Sequence, residues 1–336
     1  MYTTCLFAGI AATSWGLAEW LRAYARRAGL LDVPNQRSSH AVPTPRGGGL
    51  AIVVCTLATV LILYFGGQLS FLYSVPLIAG GGLVALVGAL DDRRGLPASV
   101  RLLAHIGAAA ICVGFIGPIS SLSHSQNGVY LGYAAWPVSI ICIVWFLNLF
   151  NFMDGIDGIA ISQAIFMSVA GAVLASLHGA PTGVVVTMLF FSACCLGFVP
   201  LNWPPARMFM GDVGSGFLGF TLALFALATI VPGTLSLWTW VLLSGSFLVD
   251  ATVTLVHRLI RREKVYQAHR SHAYQHLSRK WQSHRRVTLV YTAINVGYLL
   301  PLAWLSDRSG EAAPWLATFG IVPLIVLAWT SGAGRA

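Results

Sequence analysis

Five aspartates from three separate segments of the chain have the residue type and spacing of a metal-binding or phosphate-binding site. Asp91 and Asp92 lie in "GALDDRRGLP", Asp154 and Asp157 in "NLFNFMDGIDGIA", and Asp212 in "NWPPARMFMGDVGSG". One aspartate after an apolar run can simply mark a solvated helix end, but five with asparagines and glycines around them favour a site. Carboxylate and carboxamide oxygens suit Mg²⁺ or Mn²⁺ better than zinc.

Asparagines and glycines beside these aspartates extend the predicted site. Asn148, Asn151 and Asp154 are spaced by three, so a helix would bring their side chains near one face. Gly155 and Gly158 would let the backbone approach a ligand closely. "GDVGSG" is a second glycine-rich turn, predicted to open a helix whose N-terminus cradles phosphate. It lacks the Lys-Ser/Thr ending of a P-loop, which argues against a nucleoside triphosphate site.

Two further loops supply positive charge and imidazole rings. The first, "PNQRSSHAVPTPRGGG", carries three such side chains, Arg37, His40 and Arg46. The second contains His269, His272 and His276 at i, i+3 and i+7, a spacing that predicts one helical face. A three-histidine zinc site is an alternative, but the sequence offers no obvious acidic partner for it nearby. Beside Arg270, contacts with phosphate oxygens are favoured, and attraction to acidic lipid head groups explains part of the basic charge.

The elements that must position these residues are membrane helices. The chain has 336 residues, a mean hydropathy of +0.75, 57% hydrophobic residues and only 9% charged residues, whereas soluble domains carry about 25% charge. A bilayer core takes about 20 apolar residues per helix. The apolar runs predict about eleven spans in one all-α integral membrane domain, residues 1–336: Thr3–Leu21, Gly48–Phe65, Leu72–Leu90, Leu102–Gly117, Ala135–Leu147, Ile159–Leu177, Gly183–Leu201, Gly216–Val231, Leu237–Val256, Val287–Leu305 and Pro314–Trp329.

The distribution of basic residues predicts how these spans are oriented. If the N-terminus faces outward, the inner loops hold every Lys and Arg except Arg308, which is the pattern of positive-inside topology. The C-terminus and the aspartate cluster then face the cytoplasm. Thr3–Leu21 is expected to be a membrane helix rather than a signal peptide, because Glu19 and Trp20 stand where a small-residue cleavage site would be. The net charge of +9 predicts anionic lipids or an anionic substrate as partners and not nucleic acid.

A divalent-metal site, phosphate-binding turns and cations at one edge of the bilayer suit phosphoryl transfer from a water-soluble donor to a lipid. Four blocks in this chain resemble the polyprenyl-phosphate N-acetylhexosamine-1-phosphate transferases, glycosyltransferase family 4. They are "DVPNQRSSHAVPTPRGGG", "DDRRGLPASVRLL", "NLFNFMDGIDG" with "NWPPARMFMGDVGSG", and "HRSHAYQH", and they span nearly the whole chain. "AHRSHAYQHL" is similar to the branch that starts O-antigen and related surface polysaccharides.

The resemblance implies a reaction in the bacterial cytoplasmic (inner) membrane. A UDP-N-acetylhexosamine would give its sugar-1-phosphate to undecaprenyl phosphate and release UMP. Mg²⁺, with Mn²⁺ as the alternative, would be held by three side chains, Asp212, Asn151 and Asn148. The catalytic set would be Asp91 and Asp92, as base or as electrostatic element, with Asp154 near the pyrophosphate. Substrate contacts would come from Asp157 and Asn202 at the uridine, from His269, Arg270 and His272 at the diphosphate or sugar, and from Arg101.

Two positions depart from the family pattern, and more than one function stays open. Arg101 and Ser38 stand where many members have Lys, and Arg is not equivalent to Lys as a phosphate ligand. The sugar is N-acetylglucosamine, N-acetylquinovosamine or N-acetylfucosamine, with the histidine loop favouring a 6-deoxy sugar. A peptidoglycan-type or teichoic-acid-type transferase and a transporter for an anionic solute also remain open. A metal oxidoreductase is disfavoured, because only His105 lies clearly within a span. For the assembly, we consider a homodimer.

Overall fold

The computed structural model describes residues 2–34, 42–122, 129–263 and 269–335, and these residues are almost entirely helical. A helix that continues through a π or 3₁₀ turn is counted as one here. In chain order the helices are α1 (Tyr2–Arg27), α2 (Gly49–Phe65), α3 (Phe71–Arg94), α4 (Ala98–Ile116), α5 (Gly132–Met153), α6 (Ile159–Leu177), α7 (Thr182–Asn202), α8 (Asp212–Ile230), α9 (Leu237–Leu243), α10 (Gly245–Ile260), α11 (Ala273–Trp281), α12 (His284–Arg308) and α13 (Gly310–Thr330).

The helices agree with an integral membrane protein. Within the described residues, eight are long and apolar enough to cross a bilayer, or nine if the bent pair α9 and α10 forms one span. The eight are α3, α4, α5, α6, α7, α8, α12 and α13, while α2 has 17 residues and is shorter. Every predicted apolar run overlies a helix, so the all-helical class is confirmed, and the helices are consistent with an integral membrane protein. The number eleven and the orientation stay predictions.

The ninth predicted span, Leu237–Val256, is not continuous as expected. It divides at Ser244 into α9 and α10, which are bent by 80° relative to each other. The break frees backbone carbonyls that must find donors away from water. Ser244 Oγ donates to the Trp240 carbonyl at 2.8 Å, and Gln163 Nε2 donates to the Leu243 carbonyl at 3.0 Å. The sequence prediction missed this bend because Leu237–Val256 is apolar on average, although Ser244, Gly245 and Ser246 stand at the break.

Helix α8 is the centre of the bundle. In its most apolar stretch 94% of the residues are buried, compared with 28% in α13 at the periphery. Helices α2, α3, α5 and α6 pack around it. Because Asp212 is the first residue of α8, the most enclosed helix carries this aspartate to the end of the bundle core.

Close backbone contact brings the ends of α3 and α8 together. A Cβ atom added at Gly88 would lie 2.5 Å from the Asp212 carbonyl oxygen and 2.7 Å from the Val213 Cα. Only a glycine allows this approach. The last turn of α3, which contains Asp91 and Asp92, therefore lies directly against the first turn of α8.

A short strand pair departs from the helical pattern near the start of the chain. Leu31–Asp32 pairs antiparallel with Thr44–Pro45. The Phe209 N–H then donates to the Pro45 carbonyl at 2.8 Å, and the Gly48 N–H donates to the Phe209 carbonyl at 3.0 Å. These bonds fasten the connection between α7 and α8 against the segment that precedes α2.

Candidate active site

A polar cavity of about 930 Å³ collects residues from segments that are far apart in the sequence. Four of the five predicted aspartates line it, Asp92, Asp154, Asp157 and Asp212. All four lie in or beside the terminal turns of α3, α5, α6 and α8. Four arginines also line the cavity, Arg46, Arg270, Arg279 and Arg285. Arg37 and His40, which the sequence grouped with Arg46, lie outside the described residues.

An apolar groove of about 640 Å³ adjoins the polar cavity. Aliphatic and aromatic side chains of α3, α4 and α5 form most of its wall. Two of them, Leu102 and Ile141, are 48% and 65% exposed, so the groove reaches the outer surface of the bundle. Its polar residues include Asp91, Arg101, His105 and Asn148. Asn151 and Asp212 line both spaces, so the polar cavity and the apolar groove meet at these two side chains.

Hydrogen bonds orient both side chains at this junction. Asn151 Nδ2 donates to Asp212 Oδ1 at 2.9 Å and to Ser215 Oγ at 3.1 Å. This arrangement assigns the amide nitrogen to the α8 side and leaves the carbonyl oxygen of Asn151 without a donor among the described residues. The second carboxylate oxygen of Asp212 lies 3.6 Å from Arg101 Nη1. The junction therefore presents one amide oxygen and one carboxylate oxygen.

Arg101 links two of the aspartates. Its Nη1 lies 2.6 Å from Asp91 Oδ2, in addition to its longer contact with Asp212. The other oxygen of Asp91 accepts the Leu96 N–H at 2.5 Å. Asp91 is thus an ion-paired carboxylate on the groove side, and the arginine at this position neutralises it while facing the junction.

Asp92, which was predicted to be catalytic, binds the backbone at the start of α8. Asp92 Oδ1 accepts the Asp212 N–H, and Oδ2 accepts the Val213 N–H, both at 3.1 Å. The next two N–H groups of α8, from Gly214 and Ser215, donate to the Gly211 carbonyl at 3.0 Å. Three of the four N–H groups that begin the helix, those of Asp212, Val213 and Gly214, are therefore bonded within the protein. The prediction that "GDVGSG" cradles phosphate is wrong, because Asp92 already occupies that helix end.

Asp154 follows the last residue of α5 and faces the polar cavity. Among the described residues its carboxylate accepts no hydrogen bond and pairs with no cation. Burial raises the pKa of the Asp154 carboxyl well above its usual value, and three neighbouring carboxylates, those of Asp212, Asp92 and Asp157, raise it further. This concentration of negative charge creates a strong local preference for a cation.

Asp157 is held from three directions at the other side of the cavity. Its Oδ2 lies 3.2 Å from His284 Nδ1 and accepts the Ala206 N–H at 3.0 Å. The hydroxyl of Thr288 donates to its backbone carbonyl at 3.0 Å. Asn202, predicted beside it, is 3% exposed and binds backbone groups with both amide atoms. The structure therefore places Asn202 as a brace in the cavity wall.

The histidine loop differs from the predicted single helical face. Helix α11 begins at Ala273, so His272 caps it and His269 precedes it. His269 and Arg270 line the polar cavity, but His272 does not, and it is 2% exposed. The predicted direct contact of His272 with the donor is therefore not supported, because its Nδ1 faces Asp250 Oδ1 at 3.4 Å. Burial lowers the pKa of His269 to about 3, so its ring is neutral at pH 7.

Asp250 is the organising residue of this loop and was not among the predicted site residues. Its two oxygens accept the Ala273 N–H at 2.8 Å and the Tyr274 N–H at 2.9 Å, and Tyr291 Oη donates to it at 2.6 Å. It therefore caps α11 as Asp92 caps α8. A signal was present in the sequence, since an acid inside an apolar run indicates a functional or structural partner.

The oxygen atoms at the junction fit Mg²⁺, which needs few protein ligands, better than a metal that is coordinated by protein side chains alone. No group of three His, Cys, Asp or Glu side chains that could hold a metal occurs in the described ranges, so these residues form no three-histidine zinc site. Mg²⁺ keeps several waters and binds one or two carboxylates together with substrate phosphates. Asp212 and the free amide oxygen of Asn151, with Asp154 in the same cavity, match that requirement. Asn148, the third predicted metal ligand, lines the groove but not the polar cavity.

Comparison with known proteins agrees with this architecture. Residues 74–230 match the sequence profile described as glycosyl transferase family 4. A Bacillus subtilis strain 168 protein named "Probable undecaprenyl-phosphate N-acetylglucosaminyl 1-phosphate transferase" is 30% identical over 302 residues, covering 89% of this chain and 82% of the relative. The chain belongs to glycosyl transferase family 4. The profile's residues include Asp91, Asn151 and Asp212, which surround the junction of the two cavities.

Two further relatives illustrate the range of proteins to which this chain is similar. The decaprenyl-phosphate N-acetylglucosaminephosphotransferase of Mycolicibacterium smegmatis is 31% identical over 348 residues, covering 91% of this chain and 83% of the relative. A phospho-N-acetylmuramoyl-pentapeptide-transferase of Lactococcus lactis is 30% identical over 241 residues, covering 66% of this chain and 68% of the relative. The similarity is therefore more extensive to the N-acetylglucosamine-phosphate enzymes.

Proposed function

We propose that the protein transfers an N-acetylhexosamine-1-phosphate from a UDP-sugar to undecaprenyl phosphate and releases UMP. The observation that carries this proposal is the junction at Asn151 and Asp212, where a polar cavity and an apolar groove meet. A reaction between a nucleotide sugar and a lipid phosphate needs a polar cavity for the first substrate and an apolar groove for the second. The two must meet where the phosphates react. The named relatives in glycosyl transferase family 4 support the same reaction.

The acceptor lies in the apolar groove in this proposal, and the donor lies in the polar cavity. The groove's aliphatic wall suits a polyprenyl chain that enters from the bilayer past Leu102 and Ile141. Its phosphate then reaches the junction, where Arg101 supplies positive charge. The arginines and neutral His269 of the polar cavity suit the diphosphate and sugar of the donor, and Asp157 suits polar groups of the uridine.

Mg²⁺, held by Asp212 and Asn151, would neutralise phosphate charge that otherwise keeps the two anionic substrates apart. The hydrogen bond from Asn151 keeps the Asp212 carboxylate turned toward the junction, and Ser215 holds the Asn151 amide. Arg101 lies at the same point and offsets the charge of Asp91. Asp154 lies in the same cavity, and a cation bound there would favour its ionised form.

The chemical step needs little help from a general base. The second pKa of a phosphate monoester is near 6, so much of the acceptor is already dianionic at neutral pH. An acceptor oxygen forms a bond with the donor's β-phosphorus, and the bond from that phosphorus to the bridging oxygen breaks, so UMP leaves with the electron pair. Asp91 is paired with Arg101 and Asp92 is bonded to two N–H groups. Both positions support electrostatic and positioning roles over proton abstraction.

The biological setting is a finer part of the proposal. We place the enzyme in the bacterial inner membrane, at the first step of O-antigen or a related surface polysaccharide. The relatives' names support N-acetylglucosamine as the first donor to test, whereas the histidine loop resembles enzymes for 6-deoxy sugars. A transporter is disfavoured because the polar cavity is built from helix ends, while transporters place their sites near the bilayer midplane.

Purified protein in detergent should release UMP only when a UDP-N-acetylhexosamine, undecaprenyl phosphate and Mg²⁺ are all present. EDTA should abolish the release, and added Mg²⁺ should restore it, because removing the cation leaves two anions facing the carboxylates. A panel of UDP-sugars identifies the donor. UMP release without lipid, or release that survives EDTA, would contradict the reaction, as would no release from any donor by folded protein.

His284→Leu is expected to raise the KM for the nucleotide sugar about tenfold with a smaller change in kcat. The substitution removes His284 Nδ1, which accepts the Asp157 N–H at 3.4 Å and lies 3.2 Å from Asp157 Oδ2. Removing one partner of a hydrogen bond inside a protein costs about 1–3 kcal/mol. Steady-state kinetics with saturating lipid measure the effect. His257→Leu is the matched control, because His257 contacts the Ala333 carbonyl and lines neither cavity. Equal changes in both variants would show that the contact has no specific role.

A further inference from the structure

A histidine lies inside the apolar groove, close to the junction with the polar cavity. His105 is four residues after Arg101 on α4, so the two side chains occupy neighbouring positions on one helical face. Both line the groove. His105 is half-buried in a wall that is otherwise mainly apolar. An occupant of the groove would shield the ring from water, and the ring would then need a polar partner in that occupant.

The contacts of Asn148 determine which nitrogen of His105 carries the proton. Asn148 Nδ2 donates to the Val144 carbonyl at 2.7 Å and lies 3.4 Å from His105 Nδ1. The bond to Val144 assigns this end of the amide as the nitrogen, which is a donor only. His105 Nδ1 therefore accepts, and the ring proton of the neutral side chain is on Nε2.

His105 Nε2 consequently offers an N–H donor in the groove. No described residue accepts a hydrogen bond from it. A histidine with a purely structural role would be satisfied on both sides, as the carboxylates of Asp92 and Asp250 are in this protein. The missing acceptor is therefore expected from whatever occupies the groove, and Arg101 one turn away indicates that this acceptor is an anionic oxygen.

We propose that His105 is an acceptor-binding residue whose Nε2–H donates to a phosphate oxygen of the polyprenyl phosphate, and that Asn148 positions the ring for this bond. This inference rests on the proposed function. It also places Asn148 on the acceptor side of the junction and not in the metal set. Arg101 supplies positive charge to the same phosphate, while the hydrogen bond from His105 fixes the orientation of that phosphate.

His105→Phe is expected to raise the KM for undecaprenyl phosphate about tenfold, with the KM for the nucleotide sugar unchanged. His105→Leu is a second variant without the donor, for use if the phenylalanine does not fit the groove. His105→Gln keeps an N–H donor and should recover most of the lipid affinity that is lost in His105→Phe. Asn148→Leu should give a smaller rise in the same KM, because the ring keeps its donor and loses only its orientation.

A binding measurement without turnover separates this role from general damage. Undecaprenyl phosphate should raise the melting temperature of the wild type more than undecaprenol does, and this difference should shrink in His105→Phe and persist in His105→Gln. Phosphatidic acid replaces undecaprenyl phosphate in a parallel series, and an equal response would mean that a membrane phospholipid is the bound phosphate. That result, or equal changes in both KM values, would overturn the proposal. If the wild type releases no UMP at all, the proposed function fails; if it is active and His105→Phe leaves the lipid KM unchanged, only the His105 assignment fails.

Discussion

Replacing Asp212 with asparagine is expected to lower kcat/KM by about three orders of magnitude, equivalent to about 4 kcal/mol, while the protein stays folded. Asparagine has nearly the same shape, and Asn151 continues to require an acceptor at the Oδ1 position. The new amide must therefore turn its oxygen toward Asn151 and its nitrogen toward the junction. That orientation places a donor where the metal would need an oxygen ligand, and it also removes the negative charge.

The measurement compares UMP release at increasing Mg²⁺ with the wild type under the same conditions. Glu19→Gln is a matched control, since Glu19 pairs with Arg22 at 2.6 Å and lines neither cavity. It should retain wild-type kinetics. Full metal-dependent turnover by Asp212→Asn would place the metal elsewhere. A melting temperature well below that of the control would instead show that Asp212 acts through the fold, since Arg101 loses part of its counter-charge.

The membrane helices and the meeting of distant aspartates were accessible from the sequence. Apolar runs of about 20 residues identify helices because the bilayer leaves the backbone few other conformations. The predicted topology then places the loops that carry these aspartates on the same side of the membrane. Asp154 and Asp212 follow this logic, since each lies at a terminus of a helix that crosses the core. The reasoning works because it uses only the length and polarity of segments.

Contacts that depend on the packing of particular helices were not accessible in the same way. Asp92 bonds N–H groups 120 and 121 residues away, and the approach depends on Gly88, which alone carries no such information. His272 looked like its neighbour His269 in the sequence, yet Asp250 holds it inside the protein. Two histidines of one motif thus have different roles: His269 lines the cavity, and His272 supports the loop from inside the protein. Which role each one takes depends on Asp250, which is distant in sequence and binds the start of α11.

The aspartate pair also has two different roles, since Asp91 pairs with Arg101 while Asp92 holds the start of α8. The role of Asp92 leads to the second large expected effect. Asp92→Asn replaces one carboxylate oxygen by a donor that must face a backbone N–H of α8, so one of its two bonds becomes a repulsion. The first turn of α8 shifts, and Asp212 shifts with it. Loss of such a support for a metal ligand typically costs about 10- to 100-fold in metal affinity or activity. We therefore expect the Mg²⁺ concentration for half-maximal turnover to rise by that amount in Asp92→Asn.

A positioning role and a general-base role for Asp92 predict different recoveries. If Asp92 acts by holding α8, high Mg²⁺ should restore much of the turnover in Asp92→Asn, because mass action compensates for weaker binding. If Asp92 removes a proton, kcat should stay low at every Mg²⁺ concentration and the acidic limb of the pH profile should change. Asp157→Asn serves as the comparison, since Asp157 lines the same cavity without touching α8, and it should alter the KM for the nucleotide sugar while leaving the Mg²⁺ requirement unchanged.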